Sequence, residues 1–187
     1  MNVVHADLGI TRTQAELLAD ARWVEGRAAR LLDSELVWRP GARELLDEVR
    51  AAALPTALVT TTPRAVADLV LRRIERVFAD LPPFDITVCG DEVPTRKPDP
   101  APYLQAMAAL GVEARGCVVI EDSLVGVTAG LASGAAVLGV PSMQQLEPAP
   151  GLTLRSSLAG VGPSELAGLL ADDERSWRGR HPAREGR

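Results

Sequence analysis

The chain of 187 residues is short of several residue types, and each shortage narrows what it can be. It has two cysteines, Cys89 and Cys117, which form neither a C-x-x-C pair nor a closely spaced even set. A disulfide scaffold and a zinc site are therefore not indicated; both cysteines sit inside apolar runs and read as core. No apolar run approaches the roughly 18 residues of a membrane span. Met1 to Leu8 lacks the basic start and apolar stretch of a signal peptide, so the expected location is the cytoplasm. Positive charge is also in deficit, with Lys+Arg 20 against Asp+Glu 25 and a net charge of −5. Nothing broad attracts a phosphate backbone, and neither nucleic acid nor an anionic membrane is expected as a partner. Lysine is the scarcest cation: 19 of the 20 basic residues are Arg, and the only lysine is Lys97. A lone exception to such uniform usage invites a chemical reason.

What is present is 47% hydrophobic residues with Gly 16 and Pro 14, enough apolar surface for a core and too little punctuation for global disorder. From Thr13 to Ser34 the apolar residues Leu17, Leu18, Ala21, Val24, Ala28, Leu31 and Leu32 keep the three-and-four spacing of an amphipathic helix. After the turn signal Trp38-Arg39-Pro40-Gly41 a second helix carries Leu45, Leu46, Val49 and Ala53. Short apolar runs at 56–60, 86–89, 118–120 and 136–140 read as buried strands, and helical patterns separate them. Thr62 is expected to cap the first of these helices, with Pro63 as its first residue; later ones start at Asp99-Pro100 and at Ser123. The alternation predicts an α/β fold, a Rossmann-like parallel sheet with helices on both faces. The core is expected over 38–170, preceded by a helical segment over 1–37. An Arg-rich, apolar-poor composition over 171–187 predicts a disordered tail.

In open parallel sheets ligands sit beyond the carboxyl ends of the strands. Here those ends carry Thr60-Thr61-Thr62, then Arg96-Lys97-Pro98-Asp99-Pro100 after the second strand, then Glu121-Asp122. Each piece alone has a plain explanation as a cap or a surface charge. Together, hydroxyls at a helix start, an ammonium and an acid pair are the parts needed to hold a phosphoryl group and a Mg²⁺ ion. A lysine suits this task because its ammonium is a compact point charge. Trp23, Trp38 and Arg39 could line an entrance, although core packing accounts better for a tryptophan on a helix.

At these residues the sequence resembles the haloacid dehalogenase superfamily, in particular its phosphatases and phosphomutases related to β-phosphoglucomutase. Ala57-Leu58-Val59-Thr60 is similar to that family's second motif, Arg96-Lys97-Pro98-Asp99-Pro100 to its third, and Val118-Val119-Ile120-Glu121-Asp122-Ser123 to its fourth, with Gly126 in the helix that follows. The resemblance runs from about Trp38 to Ser142. It implies that Thr60 and Lys97 act in catalysis, that Thr60, Thr61 and Lys97 bind phosphate, and that Glu121 and Asp122 hold Mg²⁺. It also implies a small phosphorylated metabolite of the sugar-phosphate kind as substrate and helices up to about Leu36 as the remnant of a cap domain. A receiver domain uses similar residues but places its acid pair first, and here the pair comes last.

The family's first motif, D-x-D-x-T, supplies an attacking carboxylate and a proton donor. No Asp in this chain has another Asp two positions on; the nearest imitation is Asp7-Leu8-Gly9-Ile10-Thr11, with Gly9 at the second position. The resemblance places that motif's strand between the strand ending at Thr60 and the strand ending at Glu121. Its absence is expected to leave two half-sheets about 9.6 Å apart with unpaired backbone groups between them. An upstream segment, Asn2-Val3-Val4 or a partner chain is the expected filler. On this reading the chain is a truncated hydrolase with little activity of its own; the alternative is a non-catalytic phosphate- and metal-binding or regulatory module.

Overall fold

Three- and four-residue apolar strands, too short to stand alone, are carried between longer helices. The computed structural model describes residues 11–34, 37–78 and 82–180; Asn2-Val3-Val4 and Asp7 lie outside the described residues. In chain order come α1 (Gln14–Ser34), α2 (Ala42–Ala51), β1 (Ala57–Val59), α3 (Arg64–Val77), β2 (Ile86–Val88), α4 (Ala101–Leu110), a 3₁₀ turn (Ala114–Gly116), β3 (Val118–Glu121), α5 (Leu124–Ser133), β4 (Ala136–Gly139), β5 (Leu152–Leu154) and α6 (Pro163–Arg180). Every strand pairing is parallel.

Period-two alternation distributes the core over both faces of the larger sheet. Val119 and Val137 point to one face, where they meet Tyr103 and Met107 of α4 and Val127 and Ala129 of α5. Leu138 and Val140 point to the other, against Leu45 and Val49 of α2 and Leu166 and Leu169 of α6. β4 is buried at every position, as a strand covered on both faces must be.

Among the described residues the strands do not form one sheet. β1 and β2 make a two-stranded sheet, and β3, β4 and β5 make a three-stranded one. Among the described residues no strand pairs with the inner edges of β1 and β3. Ile120, on β3, is 39% exposed in what would otherwise be a buried strand. The helix α4 spans the division, packing on both β1 and β2 while touching α5.

Two elements were not anticipated, β5 and α6. Leu152-Thr153-Leu154 is a three-residue strand after Gly151, too short to give a periodic signal. The tail expected to be disordered from 171 is instead helical as far as Arg180, and 181–187 lie outside the described residues. Leu166 and Leu169 anchor α6 in the core, and once a helix is nucleated each added residue gains a hydrogen bond at little cost. Trp23, assigned to core packing, is 67% exposed on α1. Trp38 does pack, meeting the Phe78 ring edge-on at 6.0 Å. Cys89 is fully buried and Cys117 half-buried, and burial pushes both thiols up from their usual range.

Candidate active site

The only lysine lies in the division between the two sheets. The Lys97 side chain is 5% exposed, and each of the three hydrogens of its ammonium has a protein acceptor. It donates to the Val59 carbonyl of β1 at 2.9 Å, to the Tyr103 hydroxyl at 2.8 Å and to Glu121 Oε1 at the end of β3. The ammonium also stands 4.5 Å from the centroid of the Tyr103 ring. Tyr103 in turn donates its hydroxyl to the same Glu121 oxygen. Burial, then the neighbouring Glu121 carboxylate, raises the phenol above its usual range, so it stays a donor at neutral pH. Lys97 thus occupies a backbone acceptor that an intervening strand would use, and one cation links the two half-sheets.

Glu121 itself is 10% exposed. Its second oxygen lies 3.3 Å from the Ser123 hydroxyl and 3.3 Å from the Asp122 N–H. The approach of this carboxylate to α5 requires Gly126, since a Cβ there would fall 2.0 Å from Glu121 Oε2. Ser123 caps α5 by accepting from the Gly126 N–H at 3.2 Å.

The hydroxyl segment closes the other side. Thr60 continues the β1 pairing by donating its N–H to Val88 O at 2.9 Å, and its hydroxyl oxygen accepts from the Thr62 N–H at 3.1 Å. That local bond fixes the turn and leaves the hydroxyl hydrogen to donate. Thr61 is exposed beside it. Thr62 does not cap α3 as expected: Pro63 is the N-cap without a side-chain bond. Asp91, from the loop after β2, accepts from the Arg64 N–H at 2.8 Å. A cap supplied from a loop 27 residues away leaves no local sequence signal, and it fills part of the helix end with a resident carboxylate.

Arg64 then clamps this loop. Its guanidinium meets Glu92 with both Nε (2.8 Å) and Nη2 (2.7 Å), and it also donates to the Thr87 hydroxyl and carbonyl. These bonds, with the Cys89 N–H, hold Glu92 down at about 2, against an ordinary value of 4.5. A carboxyl lowered in the folded state stabilises above its unfolded value and loses that contribution as pH falls from about 4.5 to about 2. Asp85, paired with Arg50, is shifted the same way. The melting temperature is therefore expected to fall over that window. In Glu92→Gln it should be lower at pH 7 and converge on the parent value near pH 2, which thermal melts across pH will check.

Asp122 completes the set at the end of β3, half exposed, with Oδ2 3.4 Å from Arg39 Nη1. No other polar contact reaches Asp122 Oδ1 among the described residues. For a divalent cation the fit is partial. Mg²⁺ keeps several waters and takes one or two carboxylates plus substrate oxygens. Asp122 Oδ1 is placed to be a direct ligand, whereas Glu121, with both oxygens already accepting, is placed to act through water. Among the described residues no group of three or more His, Cys, Asp or Glu could hold a metal without further ligands.

The structure thus brings Lys97, Glu121 and Asp122 together, with Lys97 also bonded to Val59, the residue before Thr60. Sequence reasoning missed the role of Tyr103, which reads as one of the apolar positions of α4, and that of Asp91, which depends on the start of α3, a helix end distant in sequence. A separate cavity of about 400 Å³ lies against α3 and β2, lined by Arg64, Asp68, Arg72, Glu75, Phe84 and Ile86, and it contains none of these residues.

The chain is 38% identical over 104 residues to the protein CbbY of Rhodobacter capsulatus, covering 55% of this chain and 45% of that protein. It is 35% identical over 144 residues to a phosphorylated carbohydrates phosphatase of Thermotoga maritima, covering 76% and 64%. The chain thus spans about half to two-thirds of these relatives. The crystal structure of CbbY from Rhodobacter sphaeroides in complex with phosphate superposes with a TM-score of 0.69 at 27% identity, over 84% of this chain and 71% of that one. The family model for haloacid dehalogenase-like hydrolases matches residues 5–134. That match runs through the strands and helices from which the site is built, and the chain belongs to the haloacid dehalogenase-like hydrolases.

Proposed function

We propose that this chain is the phosphoryl-binding part of a Mg²⁺-dependent phosphatase or phosphomutase acting in the cytoplasm on a small phosphorylated metabolite of the sugar-phosphate kind. The observation that carries this reading is the convergence of Lys97, Glu121 and Asp122 between two parallel half-sheets, beside the Thr60-Thr61 hydroxyls. The resemblance to a phosphatase of phosphorylated carbohydrates and to a phosphate-bound structure supports the substrate class.

In this reading Thr60 and Thr61 donate to the phosphoryl oxygens, Lys97 balances their charge, and Glu121 fixes Lys97. Bound at Asp122, Mg²⁺ would supply further charge stabilisation to those oxygens. The attacking carboxylate comes from outside the described residues, on a strand that pairs with the inner edges of β1 and β3. Such a strand would come from an upstream segment, from Asn2-Val3-Val4 or from a partner chain. It would take the Val59 carbonyl for its own ladder and so free one Lys97 hydrogen for the phosphoryl group. The helix α1 is read as the last part of a cap over the site.

The lack of any D-x-D pair favours a second reading, a module that binds phosphate and metal without turnover. The two are separated by assaying the chain with p-nitrophenyl phosphate and Mg²⁺, alone and extended upstream by a strand carrying the motif. Hydrolysis only in the extended protein supports the phosphatase; phosphate binding without hydrolysis in both supports the module. Asp122→Ala is expected to abolish Mg²⁺ binding and any hydrolysis, and an unchanged value of either would overturn the site assignment.

A further inference from the structure

Arg39 has no place in the phosphoryl site described above, yet its guanidinium ends at Asp122. The turn that carries it is fixed from several sides. The Trp38 ring packs on Phe78, the Pro40 carbonyl accepts from the Leu158 N–H at 3.1 Å, and Gly41, at φ 81°, lies so close to Leu158 that a Cβ would come within 2.1 Å of its backbone. The arginine therefore leaves a rigid base. Its Nη1 donates to the Val140 carbonyl at 3.1 Å and its Nη2 to the Pro141 carbonyl at 2.9 Å. Val140 is itself tied to the end of β3, giving its N–H to the Glu121 carbonyl at 2.7 Å. Two carbonyl contacts on adjacent residues set the plane of the guanidinium, and the Nη1 that serves Val140 also reaches Asp122 Oδ2 at 3.4 Å.

We infer that Arg39 is a positioning residue for the cation site: it holds Oδ2 of Asp122 and so presents Oδ1 outward, in one orientation, to a divalent ion. This rests on the proposed cation role of Asp122 and goes beyond it, assigning the orientation of that carboxylate to a residue 83 positions upstream. The planar fork matters, because it can hold two carbonyls and a carboxylate at once, and a lysine ammonium at the same position lacks that geometry. Groups that orient a metal-binding side chain typically contribute 10- to 100-fold in metal affinity. The competing effect has the opposite sign: a cation 3.4 Å from Asp122 repels a second cation, so if Arg39 acted only through its charge, its removal would tighten metal binding.

The test uses Mn²⁺ as the probe, titrated into the 187-residue chain and followed by the loss of free-ion electron paramagnetic resonance signal. Thermal melts of the same samples report folding. Arg39→Ala is expected to weaken Mn²⁺ binding by about tenfold or more, with Arg39→Lys recovering only part of the loss. Unchanged or tighter binding in a folded Arg39→Ala protein overturns the inference and leaves Arg39 as a clasp on the Val140 and Pro141 carbonyls. Asp122→Asn is measured alongside: if it leaves Mn²⁺ binding intact, the cation role of Asp122 itself fails, a result distinct from failure of Arg39 alone. Should Arg39→Ala not fold, Arg39→Met, which keeps an apolar stem and removes every donor, gives the same reading.

Discussion

Replacing Lys97 with Met is expected to cost about 3–5 kcal/mol of stability, among the largest losses available to a single substitution in this chain. The residue and its partner Glu121 are 5% and 10% exposed, so the substitution strands a carboxylate in a place where water cannot take over the work of the ammonium. Only the Tyr103 hydroxyl remains on Oε1, and the Val59 carbonyl loses its donor at the open edge of β1. Stability and ligand binding are separable here. The double variant Lys97→Met/Glu121→Gln removes both charges and should recover most of the stability, since a buried pair replaced by neutral groups of similar size is often close to neutral. It should not recover phosphate. A hydrogen bond to a charged group contributes about 1.5–3 kcal/mol, so in the protein extended by the missing strand, where one Lys97 hydrogen is free for the ligand, both variants are expected to bind inorganic phosphate at least about tenfold more weakly. Urea unfolding with matched slopes measures the first effect and ³¹P titration the second. A single variant within about 0.5 kcal/mol of the parent would show that Lys97 and Glu121 are not the coupled pair the geometry describes.

The same pair shows how much of this protein was legible before its structure. Period and punctuation located β1 to β4 and α1 to α5, because buried parallel strands and amphipathic helices leave strong local patterns. They also placed Lys97, Glu121 and Asp122 on successive loops and strand ends, where the structure brings them together. What could not be read depends on contacts between segments distant in sequence. Asp91 caps α3 from across a crossover, Tyr103 looks like any other apolar position of α4, and Arg39 reaches Asp122 over 83 residues. The division of the sheet was expected from a missing motif, but its consequence was not: the site lysine is turned inward onto the Val59 carbonyl. Binding chemistry and sheet completion are therefore coupled through one side chain, which a list of motifs cannot show.

Gly90→Ala is expected to be strongly damaging although the position carries no functional group at all. Gly90 follows the buried Cys89 at the end of β2, and its N–H donates to the Thr62 carbonyl at 3.0 Å. A Cβ there would sit 2.1 Å from the Thr61 carbonyl oxygen and 2.6 Å from its carbon, distances that no rotamer change relieves because the obstacle is backbone. Either the loop after β2 retreats or the Thr60-Thr61-Thr62 segment is pushed aside. The loop is held by the Arg64 clamp on Glu92 and by Asp91 on the Arg64 N–H, so the hydroxyl segment is the part with room to yield. Forcing a methyl into such a contact costs about 1–3 kcal/mol. Displacing donors by even a fraction of an ångström lengthens their bonds to a bound oxyanion, and the expected loss in phosphate affinity is again about tenfold or more. Gly116→Ala is the matched control, since a Cβ at that position meets nothing within 4 Å and should leave both quantities unchanged. If Gly90→Ala loses stability while phosphate affinity stays at the parent value, Thr60 and Thr61 do not contact the phosphoryl group, and its binding would rest on Lys97 and the acid pair alone.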